Sequence, residues 1–330
     1  MTWIGEHGPT RWSEVGDLDW SRFRLVLGAG GTTGAAFTAG VLLALTTDHR
    51  VSLRNASHLV GTSAGSVIAA LITRGLGGDD LAAVVNRGPQ LSTPVGDSQD
   101  FSFGEAVPPP PRLRNLVRPM GPRDVVRSAG LVAARRYRAL WLHCMRPGTF
   151  DLNQQLPFIS GMAWPSDARL SVCCTDSSTG RRVVYERESG VELAEALAAS
   201  CAVPSVMRPI TIGDRVLVDG GVVSPTNADV ALTDGDPATT VVISPMSGAG
   251  CRSALGRASS MFASKRLLGE IRRSHPAGGV LVMEPAASLG ALVIDETLDS
   301  SATNQILVSS FLGPSGATIG RRQTPTRSPG

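Results

Sequence analysis

The chain has 330 residues, of which 42% are hydrophobic and 18% are charged, so it is long enough to bury a sizeable core. Its formal net charge of +3 is too small to argue for a nucleic-acid partner. Its five cysteines follow no metal-binding or disulfide spacing, and no apolar run approaches a membrane span of roughly 18 residues. Because the N-terminus also lacks the pattern of a secretory leader, these features predict a cytoplasmic protein of one large domain or two.

The first predicted strand runs directly into a glycine-rich turn. Residues 1–22 form a polar lead-in, and FRLVLGAGG (23–31) is a short apolar strand that ends in glycines. AAFTAGVLLAL (35–45) predicts a helix of small apolar residues, and HLVGTSAGSVIAALITRGL (58–76) repeats the order of strand, turn and helix. Two such units predict an α/β fold in which a mainly parallel central sheet is covered by helices.

The middle of the chain differs in composition and predicts a variable cap or insert at about 77–165. VPPPPR (107–112) predicts extended polyproline, for which a stiff connector is favoured over a ligand for a proline-binding module. Residues 123–145 predict one helix. They belong to a segment, 112–146, that contains nine arginines and one acid.

The second half of the chain adds strands and one helix, and we assign all of 23–311 to one domain. The tail at 312–330 is rich in Gly, Pro, Ser and Arg, which predicts disorder. The expected elements are two paired strands, a helix, a strand with a glycine loop and a helix start, and two further strands, at 169–176, 181–186, 191–200, 214–232, 239–247 and 280–284.

The segment GTSAG matches the G-x-S-x-G pattern of a nucleophilic serine on a strand-to-helix turn, with Ser63 at its centre. Gly61 and Gly65 remove side chains that would collide in such a turn, and the following helix directs its positive end at the serine. The alternative is an ordinary helix cap, because serine is a preferred residue there. A nucleophilic serine also needs a group that takes its proton.

The glycine turn GAGGTTG (28–34) allows three interpretations. A dinucleotide fingerprint needs a glycine where Thr33 stands, although Asp48 has the spacing of a ribose-binding acid. A phosphate-binding P-loop needs a lysine that the turn lacks. An oxyanion hole, built from backbone N–H groups at Gly30 and Gly31, is the interpretation that a serine nucleophile later in the chain favours.

The sequence offers no good histidine base for Ser63. A common α/β hydrolase places an acid and then a histidine after the serine, but the two histidines that follow, His143 and His275, lie in an arginine-rich helix and a polar helix end. Asp219 instead ends an apolar strand before two glycines, which predicts that its carboxylate reaches the crevice at the carboxyl end of the sheet. An ordinary turn aspartate is the alternative.

Taken together, these motifs resemble the patatin-like phospholipase family. GAGGTTG, GTSAG, SCAVPSVMRPITIGDRVLVDGG and SPTNAD occur in the family's order, over about 23–76 and 169–232. The resemblance implies a three-layer α/β fold and lipid acyl hydrolysis of the phospholipase A, lysophospholipase or carboxylester type. It implies no metal or cofactor, and a dyad in which Ser63 attacks and Asp219 takes the proton. The other site residues that it implies are the oxyanion donors Gly30, Gly31 and Thr32 and the motif glycines Gly28, Gly34, Gly61, Gly65, Gly220 and Gly221.

One departure from the family's pattern bears on the substrate. Family members commonly carry Arg or Lys where this chain has Thr33, so a cation near the site is lost, which favours neutral acyl esters over phosphate headgroups. The arginine-rich segment 112–146 is a candidate for peripheral membrane contact or for a lid, although a helix packed on the core with a solvated basic face is preferred. Two other functions stay open: a dinucleotide-binding enzyme that uses 28–34, and a catalytically silent lipid-binding protein. The sequence fixes neither the oligomeric state nor the choice between hydrolase and acyltransferase.

Overall fold

The computed structural model describes residues 15, 18–86, 119–151, 157–167, 169–232, 236–274, 276–295, 305–306, 310 and 317–322. The predicted polyproline at 107–112, His275 and most of the lead-in lie outside the described residues. The strands are β1 (Phe23–Leu27), β2 (Ala56–Thr62), β3 (Leu170–Asp176), β4 (Arg181–Tyr185), β5 (Ile210–Ile212), β6 (Arg215–Asp219), β7 (Thr239–Ile243), β8 (Val280–Pro285) and β9 (Ala317–Arg322). The helices are α1 (Gly31–Thr47), α2 (Ala64–Thr73), α3 (Gly78–Asn86), α4 (Pro122–Ala133), α5 (Tyr137–Cys144), α6 (Leu193–Ser200) and α7 (Ala254–Ser274).

The described strands form one nine-stranded sheet, whose centre is the parallel run β3-β2-β1-β7-β8. Side chains of β1 alternate between its two faces, because successive residues of a strand point in opposite directions. Leu25 and Leu27 pack with α1, α2 and α6 in one core cluster, whereas Val26 packs with Leu267 and Ile271 of α7 in another. The fold is therefore α/β, with helices on both faces of a mainly parallel sheet.

The arrangement around β3 decides where the ends of two other strands meet. β4 runs antiparallel to β3 along residues 172–176, so it occupies one edge of that strand. β2 and β6 share the opposite edge, and they pair with β3 in opposite directions, with Thr62 opposite Cys173 and Asp219 opposite Cys174. The carboxyl ends of β2 and β6 therefore point at each other along β3.

The structure changes several sequence-based expectations. The helix predicted at 123–145 is two helices, because the chain turns at Arg135, whose φ is 54°. The expectation that this region packs on the core is wrong, since α4 buries only Leu131 and α5 only Ala139. In place of disorder after 312, residues 317–322 form β9, antiparallel to β8.

Other parts of the chain add to the core. Val15, in the lead-in, is fully buried, and its carbonyl accepts a hydrogen bond from the Trp20 indole (2.9 Å). Helix α3 falls within the range assigned to the insert and packs against α1. The five cysteines are free thiols. None of the described helices is both long enough and apolar enough to cross a membrane.

Candidate active site

Ser63 lies on a sharp turn between β2 and α2. Its backbone φ is 54° and its ψ is −130°, an uncommon conformation for a residue with a side chain. The turn brings the chain so close to β1 that a Cβ at Gly65 would overlap the Leu27 carbonyl oxygen. A Cβ at Gly61 would likewise overlap the backbone of Ser66. The two glycines of the motif are therefore needed for the tight approach, as the sequence predicts.

Hydrogen bonds hold the Ser63 backbone in this conformation. Its N–H donates to Ser200 Oγ (2.9 Å), and that hydroxyl donates in turn to the Cys173 carbonyl (2.7 Å). Its carbonyl accepts from the N–H (2.8 Å) and the hydroxyl (2.6 Å) of Ser66. The side chain of Ser63, which none of these backbone bonds engages, is 5% exposed. Ser200 is a residue that the sequence analysis did not single out, although it begins the SCAVP segment quoted there.

Asp219 lies beside Ser63, where the carboxyl end of β6 meets that of β2. Its side chain lies beside the Ser63 hydroxyl, which lowers the pKa of the carboxyl, and it accepts a hydrogen bond from the Gly221 N–H (2.7 Å). Its backbone is fixed by Ala202, which accepts from its N–H (2.9 Å), and by Thr175, whose hydroxyl donates to its carbonyl (2.9 Å). The structure thus brings together two residues that the sequence separates widely.

The reason for this proximity differs from the one the sequence suggests. An acid at the carboxyl end of a parallel strand would reach the shared crevice, but β6 is antiparallel to β3. Asp219 arrives from the opposite direction and meets Ser63 head-on along one edge of β3. Gly220 allows this meeting, because a Cβ there would overlap the Cys173 carbonyl oxygen.

Burial sets the ionisation of Asp219. The carboxylate is 6% exposed, and its desolvation raises its pKa from 3.8 to about 6, against the opposing effects of the Ser63 hydroxyl and the Gly221 N–H. A carboxylate with a pKa near 6 is a stronger base than a solvated one and is still ionised at neutral pH. This is the range in which a side chain can take a proton from a hydroxyl group during attack.

The glycine turn lies next to this pair, at the carboxyl end of β1. The N–H groups of Gly28 and Ala29 anchor the turn by donating to the carbonyls of Ile243 (2.9 Å) and Pro225 (2.7 Å). A Cβ at Gly221, beside Asp219, would lie 3.5 Å from Ala29 Cβ, which shows how close the turn comes to the acid.

The start of α1 leaves donors available at the turn. The first intrahelical hydrogen bond runs from the Gly34 N–H to the Gly30 carbonyl (2.8 Å). The N–H groups of Gly31 and Thr32 come before it, so they have no acceptor within the helix. Together with the Gly30 N–H they are the donors that the sequence analysis assigned to an oxyanion.

Thr33 occupies a position that the sequence analysis marked as a departure from the family. Its hydroxyl is fully buried and donates to the carbonyl of Val293 (2.8 Å), in a helical turn at Ala291–Asp295. The side chain therefore ties the first turn of α1 to the C-terminal part of the chain rather than facing a substrate.

The loop after β6 supports the site from behind. Asn227, in a left-handed conformation with φ 52°, donates through Nδ2 to Thr62 Oγ1 (3.0 Å), next to Ser63. Glu270 of α7 is fully buried and accepts from the Thr226 hydroxyl (3.1 Å) and the Ala228 N–H (3.0 Å). Glu270 was missed because no motif in the sequence marks it.

The described histidines lie away from Ser63. His58 Nε2 is 2.8 Å from Ser171 Oγ, and the Ser171 hydroxyl donates to Glu186 (2.7 Å). This Ser–His–Glu group links β2 to β3, and the serine that His58 contacts is Ser171 rather than Ser63. His143 Nε2 lies 3.4 Å from Asp124 Oδ1. In the ranges that the structure covers, no three His, Cys, Asp or Glu side chains are grouped as metal ligands.

Two further placements concern the alternatives. Asp48 is the residue after α1, a helix of 17 residues, so it lies about 25 Å along the axis from the glycine turn and is not a ribose-binding acid there. Cys201 is a further neighbour of the pair that sequence reasoning overlooked, since the Ser63 and Ser66 side chains are close enough to lower the pKa of its thiol. Burial raises the pKa of that thiol, which stays neutral.

The fold and the site define an α/β protein in which a serine on a nucleophile-type elbow lies beside a buried carboxylate and a glycine turn. The family model described as patatin-like phospholipase matches residues 25–232, more than half of the chain. The chain belongs to the patatin-like phospholipase family, a family of lipid acyl hydrolases.

Solved structures also resemble the chain, at low sequence identity. VipD from Legionella pneumophila is 14% identical, with a TM-score of 0.39 over 88% of this chain and 67% of that one. The type III effector protein ExoU is 17% identical, with a TM-score of 0.31 over 77% of this chain and 53% of that one. None of the curated proteins is similar enough in sequence to count as a match.

Proposed function

We propose that the protein hydrolyses the ester bond of a lipid or another acyl ester, with Ser63 as the nucleophile and Asp219 as its base. The single observation that carries the proposal is the meeting of Ser63 with the buried carboxylate of Asp219 along β3, where burial raises the pKa of that carboxyl to about 6. The positive φ of Ser63 supports it, since strain of this kind occurs at nucleophile elbows.

The reaction begins when Ser63 Oγ attacks the ester carbonyl carbon and its proton moves to Asp219. The carbonyl oxygen becomes negative, and the N–H groups of Gly30, Gly31 and Thr32 donate to it. The positive end of α2, which starts at Ala64, stabilises the same charge. Removing one such donor typically costs about 10²–10³ in rate.

Collapse of the tetrahedral intermediate expels the alcohol, which takes the proton back from Asp219. The acyl group is then bound to Ser63 Oγ. Water then attacks the acyl carbonyl carbon and gives a proton to Asp219. Collapse of the second tetrahedral intermediate breaks its bond to Ser63 Oγ, which takes the proton back from Asp219, and the carboxylic acid leaves. These steps use side chains and backbone amides of the chain itself, and the family resemblance implies no metal or organic cofactor.

The test combines a covalent probe with turnover of a soluble short-chain ester. Ser63→Ala removes the nucleophile and Asp219→Asn removes the base, so each should lose fluorophosphonate labelling and ester hydrolysis while thermal unfolding stays cooperative. The double variant should be little worse than either single one, because the two residues act as a unit. Near-complete turnover in Asp219→Asn, together with a loss in His275→Ala, would show that a histidine is the base instead.

Two alternatives remain outcomes of this test. A silent lipid-binding protein would bind lipid but show neither labelling nor hydrolysis. A dinucleotide-binding enzyme would bind NADH tightly without labelling, although the position of Asp48 speaks against it. Because lipid substrates lie in bilayers, the proposal includes peripheral contact of a cytoplasmic enzyme with a lipid surface.

A further inference from the structure

The α4–α5 hairpin, made of α4 and α5 with the turn at 134–136, has very few buried side chains. Leu131 is the only buried residue of α4, and Ala139 is the only one of α5. A helix pair that buried its apolar residues in the core would show a broad apolar stripe facing inward. Here the apolar residues face outward, so the core does not explain them.

The outward surface of the hairpin combines large apolar and cationic side chains. Val126 is 73% exposed and Trp141 is 50% exposed. Side chains of the same two kinds surround them, namely Val125, Val132 and Tyr137 as apolar groups and Arg123, Arg127, Arg135, Arg136 and Arg138 as cations, all exposed. This composition matches a helix that lies in the interface of an anionic bilayer, where aromatic side chains are favoured and arginines meet lipid headgroups.

The only acid of the hairpin does not offset this positive surface. Asp124 Oδ2 accepts the Gly121 N–H (2.9 Å) and so caps α4, while Asp124 Oδ1 lies 3.4 Å from His143 Nε2 on α5. Its carboxylate therefore points into the hairpin, where it holds the two helices together. The outward charge is left to the arginines.

The hairpin lies at the same end of the sheet as Ser63, namely the end where the parallel strands finish. Gly180, in the turn that follows β3, packs against α5, since a Cβ there would be 2.8 Å from the Ala139 N. β3 and β2 are parallel, and Ser63 follows β2, so both features lie where the parallel strands end.

The chain after the hairpin connects it to the backbone of Asp219. Phe150 pairs with the segment after α6, donating to the Val206 carbonyl (3.3 Å) and accepting from the Arg208 N–H (2.7 Å). That segment includes Ala202, whose carbonyl accepts the Asp219 N–H (2.9 Å). A bilayer bound to the hairpin would therefore lie at the end of the sheet that carries the candidate active site.

We propose that the α4–α5 hairpin is a docking surface for anionic lipid bilayers, which it binds through its arginines and exposed apolar side chains. The inference rests on the proposed function in one respect, since it makes the bilayer the source of the ester that Ser63 attacks. Docking itself requires no chemistry at Ser63.

The experiment separates docking from catalysis by measuring both on the full chain. Sedimentation with vesicles of phosphatidylcholine and phosphatidylglycerol, and with phosphatidylcholine alone, is compared at low and high salt. We expect binding to the anionic vesicles that weakens with salt. Arg123→Glu together with Arg127→Glu should weaken it by more than about 30-fold, since each lost basic residue removes about 1 kcal/mol and each added glutamate is repelled by the anionic surface. Val126→Ser should weaken binding at low and at high salt, because it removes an apolar contact that salt does not screen.

Matched controls keep the result interpretable. Arg54→Glu with Arg74→Glu makes the same change in charge at the opposite end of the sheet, since Arg54 precedes β2 and Arg74 follows α2. This control variant should leave binding unchanged. Hydrolysis of a soluble ester should stay the same in the hairpin variants, whereas Ser63→Ala should bind vesicles like the unmodified protein. The docking inference is overturned by absent binding at low salt, by equal effects of the two arginine pairs, or by a second copy of the chain covering the hairpin in solution.

Discussion

At the scale of the residue, Asp219 is held in a state that costs the fold stability. Its pKa is 3.8 in an exposed environment and about 6 in the native site, mainly because burial penalises the charge. Between pH 3.8 and about 6, the native protein therefore keeps the Asp219 carboxyl protonated, whereas the unfolded chain has released that proton. The proposed function needs the ionised carboxylate, so the burial that would make Asp219 a better base also makes the native state less stable at neutral pH.

The sign of this effect can be tested with Asp219→Asn. Below about pH 4 the carboxyl is protonated in both states, so the variant should match the original protein in stability. As the pH rises through the interval up to about 6, the original protein loses stability and the variant does not. Above that interval the variant should be more stable by ~3 kcal/mol, because each pKa unit is equivalent to about 1.4 kcal/mol. Urea unfolding at a series of pH values measures the difference.

Asp236→Asn is the control with the opposite sign. The Arg22 guanidinium donates to the Asp236 carboxylate (3.0 Å) and lowers its pKa. That ion pair contributes stability above the usual pKa of an aspartate and loses it in acid, so the variant should be destabilised at neutral pH only. If both variants shifted stability in the same direction, the argument from burial at Asp219 would fail.

At the scale of the element, α1 depends on a contact with a distant part of the chain. Thr33 ties its first turn, which carries the candidate oxyanion donors, to the carbonyl of Val293 (2.8 Å). The same helix contains Thr38, which is equally buried but whose hydroxyl has no hydrogen-bond partner among the described residues. The same Thr→Val substitution therefore removes a hydrogen bond at Thr33 and removes an unpartnered hydroxyl at Thr38.

Thr33→Val keeps the shape of the side chain and removes its hydrogen bond, so it should destabilise the protein by about 1–3 kcal/mol. It should also lower kcat for a soluble ester with little change in KM, because the N–H groups beside it are proposed to act on the oxyanion. Thr38→Val should be neutral or slightly stabilising, because it replaces an unpartnered buried hydroxyl. Thr33→Ser should restore turnover. Equal effects of the two valine substitutions on turnover would remove the case for Thr33 as a positioning residue.

Elements with a strong local signal could be predicted from the sequence. The apolar residues of β1, the glycines around Ser63 and the apolar character of α2 predict the observed strand–turn–helix units. The break at Arg135 could not, because a single left-handed residue between two helices leaves no hydrophobic pattern behind. β9 was missed because its strand is defined by pairing with β8 rather than by its own composition.

The candidate site divides in the same way. Ser63 and Asp219 could be named from motifs, because tight turns demand glycines at fixed positions. Their meeting depends on the register of β2 and β6 along one edge of β3, which no local pattern encodes. The supporting contacts of Ser200 and Glu270 are equally non-local, so the structure was needed to find them.

At the scale of the whole molecule, the segment that matches the family model is not a complete structural unit. It ends at residue 232, yet β1 is hydrogen-bonded on one side to β7, which lies beyond it. The Ile243 carbonyl at the end of β7 accepts the Gly28 N–H of the glycine turn. α7 covers the second face of the sheet and contributes Glu270 to the loop behind Ser63. The C-terminal part thus completes both the sheet and the site.

A fragment that ends at residue 232 should therefore fail to fold into an active domain. Removal of β7 and β8 would open the edge of β1 and expose apolar side chains on both faces of the central strand, and unpaired edges of that kind associate with one another. We expect the fragment to lack cooperative thermal unfolding, to self-associate and to resist fluorophosphonate labelling at Ser63. In the full chain, Glu270→Ala should lower turnover without abolishing the fold, because it removes one buried acceptor rather than two strands. A monomeric fragment that unfolds cooperatively and hydrolyses esters would show instead that the family segment is self-sufficient and that the C-terminal contacts only add stability.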